Sequence, residues 1–204
     1  MTKRLLFIGD SITDAGRTNH CPPLGEGFVA MTKEKLTSPD EWEILNQGIS
    51  ANSIEGLHLR WDRDVIANKP DLLIILIGIN DAHVTLNLGK AVVDRVQHFK
   101  KLYIDVIEKS FRELPSIKIT LMTPFLIRRP SQDRIGEITE QYVEAVRELA
   151  RDFDMPLIDL QVHFEQALGS YDPFDLSLDT VHPTPTGHQL IADQICHHLE
   201  PSGE

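Results

Sequence analysis

Cysteine is scarce in this chain: Cys21 and Cys196 are the only two in 204 residues, and they form no CxxC pair. So low a count excludes a disulfide framework and suits a reducing compartment. Basic residues are also outnumbered, with 20 Lys and Arg against 31 Asp and Glu and a net charge of −11. Such a surface repels phosphate backbones and anionic headgroups, which argues against nucleic acid and membrane surfaces as partners. No window approaches the roughly 18 consecutive apolar residues of a membrane span. The run Leu5-Leu6-Phe7-Ile8 after Lys3-Arg4 ends at Gly9-Asp10, short of the ~7–15 residues of a signal-peptide core. It reads as a strand, and the expected location is cytoplasmic. Signatures for other chemistries are missing too: there is no GxxxxGK[ST], no GxGxxG after the first strand, no GxSxG and no HExxH.

What is present is an alternation. Apolar runs at Leu5–Ile8, Trp42–Leu45, Leu72–Ile77, Ile117–Met122 and Leu157–Leu160 do not alternate with polar residues. Strands apolar on both faces belong to parallel sheets covered on both sides. Between them apolar residues return every three or four positions, at Val92, Val96, Phe99, Tyr103, Val106 and Ile107, then at Ile138, Tyr142, Val146 and Leu149. A last helix begins at Thr184-Pro185, Thr as N-cap and Pro in the first turn. With no repeat or linker, the whole of 1–204 reads as one α/β domain, a three-layer α/β/α sandwich on about five parallel strands. Segments 12–26, 79–90, 124–134 and 169–184 read as loops.

Open α/β sheets place their chemistry beyond the carboxyl ends of the strands. There the chain reads Gly9-Asp10-Ser11-Ile12-Thr13-Asp14, Asn46-Gln47-Gly48-Ile49-Ser50 and Gly78-Ile79-Asn80-Asp81, with Asp179-Thr180-Val181-His182-Pro183 near the end. Together these hold a hydroxyl, small residues that free backbone N–H groups, a carboxamide, and a carboxylate three positions before an imidazole. That is the inventory of acyl transfer. Ser11 needs a base, His182 supplies it, and Asp179 fixes the imidazole tautomer. The Ser11 N–H, the Gly48 N–H and the Asn80 amide are the expected oxyanion donors. Read singly, Ser11 is a helix cap, Gly48 a turn residue and Asn80 an Asx-turn former; their order at successive strand ends favours catalysis. Asp10 and Asp81 read as loop braces. Arg17, His83 and Phe125, with Asp10, are the candidates for substrate contact. Trp61 reads as a core or interface aromatic, and Ser50 and Ser53 as residues that cap or precede a helix over 53–67.

These blocks resemble those of the SGNH, or GDSL-type, hydrolases, with Ser11, Gly48, Asn80 and His182 matching the four name-giving residues from Leu5 to about Ile191. The strings Leu6–Asp14, Ile77–Asp81, Leu121–Phe125 and Arg60-Trp61-Asp62 are similar to the cytoplasmic acetyl xylan esterase branch. The resemblance implies a flavodoxin-like sandwich with five parallel strands and ester hydrolysis through an acyl-serine, with no metal or organic cofactor. A small acyl ester is the implied substrate, an acetylated sugar first. A lysophospholipid or acyl thioester is the alternative, and a noncatalytic sugar- or ester-binding module the reading from another class. A homo-oligomer is implied by the same likeness. The chain departs from the pattern at Ala51, where the relatives often have Gly, and at Ala82-His83, where the related esterases often have Trp.

Overall fold

The computed structural model describes residues 2–89, 91–127 and 133–200. Five strands, β1 Lys3–Gly9, β2 Trp42–Gly48, β3 Leu72–Leu76, β4 Lys118–Met122 and β5 Leu157–Ile158, form one sheet in the order β2-β1-β3-β4-β5. All its pairings are parallel. The register sets Gly9 beside both Gly48 and Leu76, so the carboxyl ends of β1, β2 and β3 finish level and their loops share one edge. Every residue of β3 is buried, as the unbroken apolar run requires of a strand covered on both faces.

The helices are α1 Ser11–Asp14, α2 Phe28–Lys35, α3 Ile54–Trp61, α4 Ile79–Leu88, α5 Val92–Glu113, α6 Asp133–Asp152, α7 Leu160–Ala167, α8 Pro173–Leu176 and α9 Pro185–Leu199. One π-helical turn, Asp62–Ile66, extends α3. From β1 the chain steps outward to β2, then returns across the sheet through β3, β4 and β5. Right-handed crossovers therefore put α2 on one face and α3, α5 and α6 on the other. The contacts agree: α2 packs on α9, α3 on α5, and α6 on both α4 and α5. On the second face Phe99 meets Tyr103 and Tyr142 edge to face at 5.4 and 5.0 Å, and Trp61 is buried with its indole N–H donated to Ser110 Oγ at 2.9 Å.

Several expectations are corrected: α1 covers the start of segment 12–26 and α8 lies inside 169–184, both read as loops. Segment 79–90 is not a loop, because Ile79–Leu88 is helix α4; its inward face carries Asp81 and Thr85 beside Ile79 and Ala82, so polar residues mask the helical period. Leu157–Leu160 is strand only to Ile158, since Asp159 then caps α7 by accepting from the Val162 N–H. The Thr184-Pro185 start of α9 is as expected, with Thr184 Oγ1 accepting from the Gly187 N–H. Part of the 124–134 segment, residues 128–132, lies outside the described residues.

Replacing Phe99 by Ala empties the centre of the aromatic trio and is expected to cost about 3–5 kcal/mol. Chemical denaturation checks it; a loss under about 1 kcal/mol contradicts this packing.

Candidate active site

β1 ends at Gly9, and Asp10 turns the chain by accepting from the Ile12 N–H at 3.0 Å. Ser11 thereby opens α1 at the sheet edge, with no partner for its own N–H among the described residues. From the far end of the chain, His182 Nε2 lies 2.9 Å from Ser11 Oγ. His182 Nδ1 lies 2.6 Å from Asp179 Oδ2, and the other Asp179 oxygen accepts from the backbone N–H groups of His182 at 2.8 Å and Val181 at 3.0 Å and from Ser177 Oγ at 3.2 Å. Partial burial works against the charge of Asp179, but the hydrogen bond from the His182 ring and those from the two backbone N–H groups outweigh it and hold the carboxyl at about 2. The Asp179 carboxylate therefore keeps the Nδ1–H tautomer and leaves Nε2 free to take the Ser11 proton.

Between Asp179 and His182 the backbone bends sharply. Thr180 is buried at φ 78°, a left-handed conformation that is an outlier for a β-branched residue. Its carbonyl accepts from the Ile127 N–H at 3.0 Å, and Ser177 and Pro183 form a β-bridge that closes the base of the loop.

The second and third blocks meet next to this array. Asn80, in the first turn of α4, donates its side-chain amide to the Asn52 carbonyl at 2.9 Å, and its second amide hydrogen has no partner among the described residues. Gly48 is placed differently from its expected role. Its N–H is donated to Asn46 Oδ1 at 2.8 Å and its carbonyl accepts from Arg17 at 2.6 Å. A Cβ on Gly48 would lie 2.2 Å from the Asp14 nitrogen. Glycine is required there for close approach to α1, and its donor is already engaged. Ala51, three residues on, is exposed at φ 64° and its N–H has no partner among the described residues.

The other candidates divide as follows. Asp10 is completely buried, so it is a brace and not a substrate contact. Phe125 is buried and stacked on Phe164 at 4.2 Å, which removes it from the mouth of the site. His83 uses Nδ1 on the Ile79 carbonyl at 2.9 Å and does not line the cavity beside Ser11. Arg17 holds the Gly48 carbonyl and lies 4.0 Å from Asp14, a loop fastener. Ser50 precedes α3 and donates to Asp14 at 2.8 Å. Asp81 provides for that helix, facing the Ile54 N–H at 3.2 Å.

A cavity of about 310 Å³ adjoins Ser11 and His182, and its wall includes Glu26, His188 and Pro183. Sequence reasoning missed both Glu26 and His188. His188 Nδ1 accepts from the Phe28 N–H at 3.2 Å, and burial pushes the imidazole down to about 4, so it is neutral with its proton on Nε2. Its place on α9, beyond the motif blocks, carried no signal of its own. Among the described residues, one group has the donor set of a metal site: His20, Cys21 and Glu26.

Asp81 and Asp10 are buried and burial raises each to about 7, with the Asp10 charge adding to the rise at Asp81. In the unfolded chain both return to the usual carboxylate range near 4. Between these values the folded protein holds more protons, so stability is greatest at the acid end of that window and falls as pH rises through 7. Asp81→Asn removes the Asp81 share of this dependence while its side-chain carbonyl still accepts from Ile54. Thermal unfolding from pH 5 to pH 8 should show the variant gaining on the parent; a constant difference contradicts the assignment.

Comparison with known proteins follows the same geometry. Residues 7–190 match the model of the GDSL-like lipase/acylhydrolase family. An acetylxylan esterase of Geobacillus stearothermophilus is 37% identical over 93% of this chain and 90% of its own length. A crystal structure of the acetylxylan esterase Axe2 from that organism superimposes with a TM-score of 0.84 at 31% identity, covering 98% of this chain and 95% of the other. Structures of Axe2 described as catalytic mutants replace a serine, a histidine and an aspartate three positions before that histidine, the spacing of Asp179 and His182 here. A hydrolase from the metagenome of Lake Arreo superimposes at TM-score 0.80 and 29% identity over 96% of this chain and 94% of its own.

Proposed function

The chain belongs to the GDSL-like lipase/acylhydrolase family and is a carboxylic ester hydrolase, and from that premise we propose that it removes acetyl groups from sugar hydroxyls, xylo-oligosaccharides first, through an acyl-serine. The observation that carries this reading is the continuous hydrogen-bonded array from Ser11 Oγ through both His182 nitrogens to Asp179.

In the cycle, His182 Nε2 takes the Ser11 proton as Oγ attacks the ester carbonyl. Asp179 stabilises the imidazolium that forms without taking its proton. The carbonyl oxygen becomes an oxyanion held by the Ser11 N–H and the free hydrogen of the Asn80 amide. The third donor is the Ala51 N–H rather than that of Gly48: it is unpartnered and exposed, and it adjoins Asn52, whose carbonyl the Asn80 amide already holds. An oxyanion donor of this kind contributes about 3 kcal/mol to the barrier reduction. His182 then protonates the departing alcohol, and water repeats the sequence on the acyl-enzyme.

The cavity supports a sugar alcohol. Glu26 offers a carboxylate acceptor to hydroxyl groups and His188 a neutral imidazole donor, both on the wall that holds Ser11 and His182. The net charge of −11 disfavours phosphate-bearing lysophospholipids. Axe2 is described as an acetyl-xylooligosaccharide esterase in one of its solved variants. No helix among the described residues is long and apolar enough to cross a membrane, and free thiols at Cys21 and Cys196 fit the cytoplasm, where we place the enzyme.

Ser11→Ala should lower kcat on p-nitrophenyl acetate by at least about 10³-fold with the unfolding midpoint unchanged. Retained turnover in a folded variant contradicts the nucleophile. Across p-nitrophenyl esters from acetyl to octanoyl, kcat/KM should fall steeply; a rise with chain length contradicts the deacetylase and moves the substrate to lysolipids or thioesters.

A further inference from the structure

The loop between α1 and α2 carries a group of side chains, two of which, His20 and Cys21, have no part in the proposed reaction, while the third is Glu26 of the cavity wall. His20 Nε2 lies 3.2 Å from Glu26 Oε1, and Cys21 Sγ lies 3.7 Å from Glu26 Oε2. One donor atom from each of the three residues lies within 4.8 Å of the others. A tetrahedral site with Zn–N and Zn–O near 2.0–2.2 Å and Zn–S near 2.3 Å has N···O and S···O edges of about 3.3–3.6 Å. The His20–Glu26 and Cys21–Glu26 separations, one to each carboxylate oxygen, are close to those edges, and the His20 and Cys21 donors lie within 4.8 Å of each other, so side-chain shifts of up to about an ångström close the three around an ion.

The backbone delivers these donors in a fixed arrangement. The Gly16 carbonyl accepts from the N–H groups of Asn19, His20 and Cys21 at 3.0–3.1 Å, Gly25 N–H bonds the Cys21 carbonyl at 2.7 Å, and Glu26 N–H bonds the Ala15 carbonyl at 2.8 Å. Stability does not account for the cluster. The His20 and Glu26 side chains are 62% and 65% exposed, and an ion pair that exposed contributes little. A mixed nitrogen, sulfur and oxygen set suits a zinc-class ion rather than calcium or magnesium, which prefer oxygen alone.

The cluster is also next to the chemistry. Glu26 and Gly16 form part of the wall of the cavity that holds Ser11 and His182. We propose that His20, Cys21 and Glu26 bind one divalent ion of the zinc class at the rim of this cavity, its fourth position open, and that filling the site slows ester turnover. The ion occupies the Glu26 carboxylate and brings positive charge into the cavity where His182 must become an imidazolium. The coupling to turnover rests on the esterase reading; the binding does not.

Titration of the whole protein with Co²⁺ reads the site directly. The expected result is one ion per chain, with a thiolate-to-cobalt charge-transfer band, displaced by Zn²⁺ and weakened about 10-fold or more in each of Cys21→Ser and His20→Ala. Absence of the band, or equal affinity in Cys21→Ser, overturns the site. In the second arm, stoichiometric Zn²⁺ should lower p-nitrophenyl acetate turnover at least 3-fold, with recovery in EDTA and no effect on Cys21→Ser. Binding with undiminished turnover overturns the coupling. A metal-free parent without esterase activity overturns the coupling together with the proposed reaction, while the cobalt band still decides the site.

Discussion

A single buried guanidinium holds the working edge of this sheet together. Where β1 and β2 end, the Gly9 carbonyl, already bonded by the Ile49 N–H, and the Gln47 carbonyl face the buried head of Arg60. Arg60 donates to the Gly9 carbonyl at 3.0 Å, the Gln47 carbonyl at 2.7 Å and Asn52 Oδ1 at 2.6 Å, with Asp64 as its counter-ion at 2.7 Å. Burial pulls the guanidinium down from its usual range and Asp64 offsets this, so the charge is kept where a point-charge ammonium would lack the planar fork to serve several acceptors. The residue before the nucleophile turn, the residue before Gly48, and the residue whose carbonyl holds the Asn80 amide are thus tied to one side chain. Removing one partner of such a network leaves buried groups unpaired, the costly case for polar interiors.

Asp14 repeats the principle one layer up. Burial opposes its charge, but hydrogen bonds from Ser50 and Thr18, with the Arg17 charge, hold its carboxyl below the usual range. It joins the end of α1 to the turn after β2 through Ser50, while Asn46 ties that turn to the Thr13 and Leu24 carbonyls at 2.7 Å each. The reactive array stands on this foundation. Ser11 is fixed from below by Asp10, and His182 arrives from the far end of the chain on a strained turn at Thr180 that is fastened to Ile127. In the proposed reaction, preorganisation of this kind sets Ser11 Oγ and His182 Nε2 in place before substrate arrives.

The layer order, the strands, the long helices α5 and α6, and the meeting of Ser11, Asp179 and His182 at one sheet edge were legible because each depends on local pattern: continuous apolar runs, the helical period, and a carboxylate three residues before an imidazole. What escaped reading depends on tertiary pairing. Asp81 faces inward because the N-terminus of α3 needs its carboxylate, so α4 read as loop. Gly48 looked like a donor because nothing local shows that Asn46 engages its N–H and that Asp14 needs its space. Phe125 read as a mouth residue and is core because Phe164 lies against it. Glu26 and His188 are more than 160 positions apart, and only the packing of α2 on α9 brings them to one cavity wall.

All of these constraints serve one claim, that Ser11 is an activated nucleophile and the other hydroxyls at this edge are not. Ser50 is engaged by Asp14, whereas Ser11 alone faces His182 Nε2. Treating the folded protein with an organophosphate and locating the adduct by mass spectrometry tests this most directly. The account predicts one stoichiometric adduct, on Ser11, absent when His182 is replaced by Ala. An adduct on Ser50 or Ser53, or none at Ser11 in the folded parent, would contradict it.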